Sequence, residues 1–121
     1  GGSSIRSFIL MEDVNNALYK ILFDKNNVGQ TYHISTNHFI SIKDLVIKIF
    51  KKINSNTSLI KITDERKGKD QGYLLNSSKL RKTYKWKDEF KLDEGINETI
   101  KWIEKNYKIL KNEKLKYSHK S

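Results

Sequence analysis

The sequence predicts a small mixed α/β fold, an α+β lobe of about four helices joined by short strands. Three observations carry this. Apolar residues recur at helical spacing in three long stretches, and a serine-flanked stretch adds a fourth, shorter helix. Between them lie short apolar or alternating runs bounded by turn residues, the pattern of strands. The chain has 121 residues, enough for one domain, while the strands are too few and too short for a full doubly wound sheet.

Taken in order, Ser7–Leu10 is an apolar run with polar flanks and reads as a strand or strand-like entry. Val14, Ala17, Leu18, Ile21 and Leu22 then form one helical stripe, with Asp13 placed as its N-cap and Asn26-Asn27-Val28-Gly29 ending it. Gln30–Ser35 reads as a strand with Tyr32 and Ile34 on one face. Ser41 opens a second helix, with Asp44 in the position of a capping-box carboxylate, and Ile42, Leu45, Val46, Ile49, Phe50 and Ile53 form its stripe. Ser58–Ile62 reads as a short strand, Thr63–Gln71 as an exposed charged loop, and Gly72–Leu75 as a further short strand. Asn76-Ser77-Ser78 introduces a brief helix over Lys79–Tyr84 that ends near Trp86. The last helix runs from Leu92 to Tyr107 with Ile96, Ile100, Ile103 and Tyr107 facing inward. Gly95 within it costs about 1 kcal/mol relative to alanine, which implies close packing there. Trp86 and Trp102 occupy core-like positions.

The net charge of +10 raises the possibility of a nucleic-acid surface, but the excess is scattered lysine, and arginine occurs only at positions 6, 66 and 81. A phosphate-reading surface clusters its charge and uses the planar arginine fork, so a small basic nucleic-acid-binding module is the weaker reading. With no cysteine there is no disulfide framework and no thiolate metal site, which fits a reducing, cytoplasmic setting. The three histidines lack a metal-ligand spacing with Asp or Glu, so no metal is expected. No stretch approaches 18 apolar residues, so no membrane span is expected. Residues 1–4 read as a flexible start or a tag, 5–110 as the folded lobe, and 111–121 as a basic tail.

Several short motifs follow one another. They are Arg6-Ser7-Phe8-Ile9 leading to Asp13-Val14; Gly29-Gln30-Thr31-Tyr32-His33-Ile34; Ser41-Ile42-Lys43-Asp44-Leu45; and Glu65-Arg66-Lys67-Gly68-Lys69-Asp70-Gln71-Gly72-Tyr73. Asn76-Ser77-Ser78-Lys79, Lys85-Trp86-Lys87 and Leu92-Asp93-Glu94-Gly95-Ile96 complete the series. In this order and spacing they resemble the C-terminal part of the NAD-dependent nucleotide-sugar epimerase/dehydratase family, the extended short-chain dehydrogenases of Rossmann type. Within that family the likeness is greatest to 4,6-dehydratases of the dTDP-glucose kind. The chain departs from the pattern at His33, Ser35-Thr36, His38, Lys67, Lys69 and Asn76, which bears on the substrate rather than on the family.

The resemblance implies a nucleotide-sugar-binding lobe that closes over a separate NAD-binding lobe. It implies substrate contacts from Arg6, Asn37, His38, Arg66, Lys69, Asp70 and Tyr73, because guanidinium forks suit a diphosphate and the others offer hydrogen bonds. Read as residues alone, Arg6 could instead partner Glu12 or Asp13, Arg66 be a solvated loop charge, Asn37 and His38 polar loop residues, Asp70 a turn-stabilising carboxylate, and Tyr73 a packing residue. No Gly-x-x-Gly-x-x-Gly turn and no Tyr-x-x-x-Lys pair accompanies these landmarks. Tyr107 and Lys111 have that spacing but follow every one of them. The expectation is therefore a binding fragment with no catalytic residues and no cofactor of its own, inactive alone. NAD belongs to the intact enzyme, which is a possible homodimer. A nucleotide-sugar 4-epimerase or decarboxylase of the same family is the alternative.

Overall fold

The computed structural model describes residues 1–64 and 67–113. Its strands are β1 (Ile5–Arg6), β2 (Ile40–Ser41) and β3 (Gly72–Tyr73). Its α-helices are α1 (Met11–Leu22), α2 (Ile42–Lys52), α3 (Ser78–Tyr84) and α4 (Leu92–Leu110), with 3-10 turns at Lys25–Asn27 and Thr57–Leu59. The strands form one sheet in the order β2-β1-β3, antiparallel between β1 and β2 and parallel between β1 and β3. Four helices and a small mixed sheet are the architecture that the apolar periodicity predicts.

The strand expected at Ser7–Leu10 lies earlier, at Ile5–Arg6, because those residues have ladder partners on both sides. Leu10 becomes the extended residue that opens α1. Asp13 is not the N-cap. It sits in the first turn of α1, only 2% exposed, and its carboxylate accepts the backbone N–H groups of Glu89 (2.9 Å) and Phe90 (3.2 Å). Two part-buried N–H donors on the 86–91 segment thus share one carboxylate, which satisfies both at once. The indole N–H of Trp86 donates to the Asp13 carbonyl at 3.2 Å, so one residue ties α1 to that whole segment.

Gln30–Ser35 forms no strand, since no neighbouring strand pairs with it among the described residues. Lys79 holds it instead, donating to Gln30 Oε1 (2.9 Å) and the Thr31 carbonyl (3.1 Å) and lying over the Tyr32 ring. Ser58–Ile62 also departs from the expected strand. Asn56 Oδ1 accepts the Ser58 N–H at 2.9 Å and curls the chain into a 3-10 turn, an Asx side chain competing with extended backbone. By contrast Ser41 caps α2 as the sequence predicts, accepting the Asp44 N–H at 3.0 Å while its hydroxyl bonds the Asp44 carboxylate at 2.7 Å.

The core is Ala17, Leu80 and Trp86, bordered by Ile9, Ile21, Tyr32, Ile34 and Tyr84. Burying Trp86 fits its expected role. Trp102 does not: it is exposed, as are Ile103 and Tyr107 on the same helix, and only Ile96 of α4 is buried. Leu18 and Leu22 of the expected α1 stripe are exposed as well. The inner face of α1 is narrower than its apolar content, and the surplus forms a second, outer face. Gly95 is not forced by crowding. A Cβ built there meets Leu10 Cβ at 3.6 Å, an ordinary contact.

Candidate functional site

The sheet register decides which predicted residues meet. Arg6 pairs with Ile40 on one side and Tyr73 on the other, and laterally paired residues project to the same face of a sheet. Asn37 and His38 precede β2, so their loop lies beside the Arg6 end of β1. Lys69 and Asp70 precede β3 and run alongside the start of β1. The Ile5 N–H donates to the Gln71 carbonyl at 2.8 Å, and Ser4 Oγ to the Asp70 carbonyl at 3.1 Å. Arg6, Asn37, His38, Lys69, Asp70 and Tyr73, scattered over nearly 70 positions, thus flank one three-strand ladder, with Asn37 and His38 past the Arg6 end of β1 and Lys69 and Asp70 beside its start. Arg66 lies outside the described residues, so its place relative to Arg6 is not among these contacts.

The Arg6 guanidinium donates to two backbone carbonyls, Ile5 (Nη1, 2.8 Å) and Asp70 (Nη2, 3.1 Å), and not to Glu12 or Asp13. Among the described residues these bonds use two of its five N–H donors. Asp70 contributes its carbonyl to this arrangement, serving Ser4 and Arg6 together, while Asp70 itself is exposed. Asn37 and His38 are exposed, and the His38 N–H donates to Thr36 Oγ1 at 3.3 Å. Tyr73 is 58% exposed. His33 is exposed too.

A network that the motifs do not reveal borders this group. Ser35 and Ser77 are buried, and Ser77 Oγ donates to the Ser35 carbonyl at 3.0 Å. Arg81 reaches the same carbonyl at 3.0 Å, Ser77 Oγ at 2.9 Å and Asp88 at 2.6 Å, with its guanidinium carbon 4.8 Å from the Trp86 ring. Burial pushes the Asp88 carboxyl up, but hydrogen bonds from Thr36 and Arg81, with the Arg81 charge, outweigh it and hold Asp88 below the ordinary carboxylate value. The only signal in the sequence was that Arg81 is one of three arginines in a lysine-rich chain.

Two open grooves lie elsewhere. One, of about 310 Å³, is lined by Lys52, Glu94, Asn97, Glu98, Ile100 and Lys101; the other, of about 430 Å³, by Glu12, Asn15, Asn16, Tyr19, Lys20 and Phe23. Neither includes the residues gathered by the sheet. Tyr107 and Lys111 sit at the far end of α4, where the Lys111 N–H closes the helix on the Tyr107 carbonyl. Among the described residues no three His, Asp or Glu side chains could hold a metal ion, and no helix is long and apolar enough to cross a membrane.

No family model matches the chain. The dTDP-D-glucose 4,6-dehydratase of Mus musculus is 31% identical over 117 residues, spanning 92% of this chain and 32% of that protein. Among solved structures, dTDP-glucose 4,6-dehydratase from Bacillus anthracis in complex with NAD superposes with a TM-score of 0.78 at 27% identity, covering 88% of this chain and 33% of that one. The Bordetella bronchiseptica enzyme WbmF, in complex with NAD+ and UDP, gives a TM-score of 0.75 at 28% identity, covering 92% and 32%. UDP-glucuronic acid 4-epimerase from Bacillus cereus in complex with NAD shares the fold, with a TM-score of 0.72 at 19% identity. The chain spans about a third of the length of the relatives it matches. Nothing among them points to a nucleic-acid-binding role.

Proposed function

We propose that this chain, a homologue of the dTDP-glucose 4,6-dehydratases and related NAD-dependent epimerases, is the substrate-binding C-terminal lobe of a nucleotide-sugar 4,6-dehydratase. The observation that carries the reading is the placement of Arg6, Asn37, His38, Lys69, Asp70 and Tyr73 around one sheet, on a chain whose relatives act as such enzymes. Residues 5–110 form the lobe.

In this reading the Arg6 fork, pre-aimed by its two carbonyl contacts, takes diphosphate oxygens, and Arg66 adds a second guanidinium. Lys69 adds charge without the fork's geometry. Asn37, His38 and Tyr73 supply hydrogen bonds and stacking surface for the nucleoside or sugar, and the Asp70 carboxylate takes a sugar hydroxyl. NAD is held by the remainder of the enzyme, since this sequence has no glycine-rich dinucleotide turn. When bound there, NAD would supply the hydride acceptor and donor for transient oxidation of the sugar at C4. The acid–base pair for that chemistry, a tyrosine held near a lysine, also belongs to the remainder. The chain alone therefore binds and does not turn over.

The outer face of α1 supports a partner lobe. Met11, Leu18, Tyr19, Leu22 and Phe23 are all exposed on a helix whose other side is already in the core, and a helix apolar on both sides is normally covered on both. A reducing cytoplasm suits the cysteine-free sequence, and a homodimer of the intact enzyme is compatible with it. A 4-epimerase or decarboxylase of the same family is the second reading. It shares this lobe and differs in the remainder.

Calorimetric titration of the chain with dTDP tests the proposal. Weak saturable binding is expected, falling about tenfold or more in Arg6→Met, the loss of one charge-assisted contact. Absence of binding, or a preference for DNA that collapses steeply with added salt, contradicts it.

A further inference from the structure

We propose that Arg81, outside every residue so far assigned to the ligand, is a positioning residue that fixes the Asn37–His38 loop relative to Arg6. The contacts of Arg81 go to the root of that loop. The Ser35 carbonyl receives two donors, Arg81 Nη2 and Ser77 Oγ, each at 3.0 Å, so both of its lone pairs are engaged and the peptide plane is set. Arg81 Nε donates to Ser77 Oγ at 2.9 Å, closing a ring of three groups. Asp88 accepts from that same Nη2 at 2.6 Å, and Thr36 also acts to hold its carboxyl low. Thr36 Oγ1 in turn accepts the His38 N–H at 3.3 Å.

The other end of the junction reaches the arginine strand. Ser35 Oγ lies 3.0 Å from Ser7 Oγ, and Ser7 directly follows Arg6. Four separate segments, at residues 7, 35–36, 77–81 and 88, are therefore locked together between the two stations of the ligand surface. A buried polar network satisfied in this way defines one arrangement and penalises others, because any slippage strands a desolvated donor or acceptor. Only a planar fork fits: one guanidinium serves a carbonyl, a hydroxyl and a carboxylate while its plane lies near the Trp86 ring. A lysine keeps the charge and loses that geometry.

The inference deepens the proposed nucleotide site and rests on that reading only where binding is measured. Arg81→Lys and Ser77→Ala in the full chain test it through three readouts: thermal unfolding, residue-resolved backbone order parameters without ligand, and dTDP titration. The expected result is a folded protein in which order parameters at Thr36, Asn37 and His38 fall from about 0.85 to below about 0.6, while those of α2 stay rigid. Affinity for dTDP then falls about threefold to tenfold, since the loop must be ordered on binding. Unchanged order at 36–38, or an equal loss of order in α2, overturns the proposal and leaves Arg81 a packing residue. If the loop loosens but the unsubstituted chain takes no dTDP, the positioning role stands and the nucleotide reading fails. Should Arg81→Lys not fold, Ser77→Ala removes a hydroxyl without stranding a charge and gives the same readout.

Discussion

The junction around Arg81 and the outer face of α1 are built on opposite principles within one small molecule. At the junction, Ser35 is 1% exposed and its carbonyl, Ser77, Arg81 and Asp88 all find partners within 3.0 Å. Along and just past α1, Leu22 is 76% and Phe23 72% exposed, with the Tyr19 and Phe23 rings tilted against each other. The first region is complete as it stands. The second is apolar surface without cover, and the chain spans only a third of its relatives' length. The contrast separates a polar junction that closes on itself from an apolar face that the proposed function assigns to a partner lobe.

Substitutions can break that contrast or sharpen it. The largest effect is expected on the finished side. Leu80 is fully buried, and Leu80→Ala should cost about 2–5 kcal/mol, whereas Leu22→Ala should stay within about 0.5 kcal/mol in this chain. Chemical denaturation of both variants measures the difference, and equal costs would mean that the outer face is covered after all. Next is Asp13→Ala. It strands the backbone N–H groups of Glu89 and Phe90 and should cost about 1–3 kcal/mol by the same method.

Acid comes third. The folded Asp88 carboxyl titrates below its unfolded value of 3.8, so its stabilisation is whole above that value and is lost as pH falls through the lower folded one. Asp24 is lowered by the Asn26 backbone N–H and then by the Tyr84 hydroxyl, and Asp93 by Lys48 and Lys52, so both add the same sign. Thermal midpoints should be level between about pH 5 and 7 and drop below about pH 4, with a shallower drop in Asp88→Asn. The smallest effect is a gain. Gly95→Ala should stabilise the chain by about 0.5–1 kcal/mol, because the new methyl meets Leu10 at an ordinary distance while helix propensity improves.

The sequence spoke clearly where a local rule acts alone. Ser41 with Asp44 marks the start of α2, and the period of Val14, Ala17 and Ile21 marks the inner face of α1, because capping and amphipathicity are encoded within a few residues. It failed where a distant partner decides. Asp13 looks like an N-cap until the 86–91 segment offers it two donors. Gln30–Ser35 has strand composition but no described strand beside it, and apolar Trp102, Ile103 and Tyr107 read as core although little of this chain covers them. The candidate site residues were proposed from motifs in order. Where they lie around the sheet depends on strand register, and the Arg81 junction on tertiary contacts between single serines and threonines, which leave no period to read.

The most direct test is a chemical-shift titration of the isotopically labelled chain with dTDP. The account predicts saturable shifts at Arg6, Asn37, His38, Asp70 and Tyr73, with the groove beside α4 at Asn97 and Lys101 undisturbed. Shifts confined to the α4 groove, or none at the sheet, would contradict it.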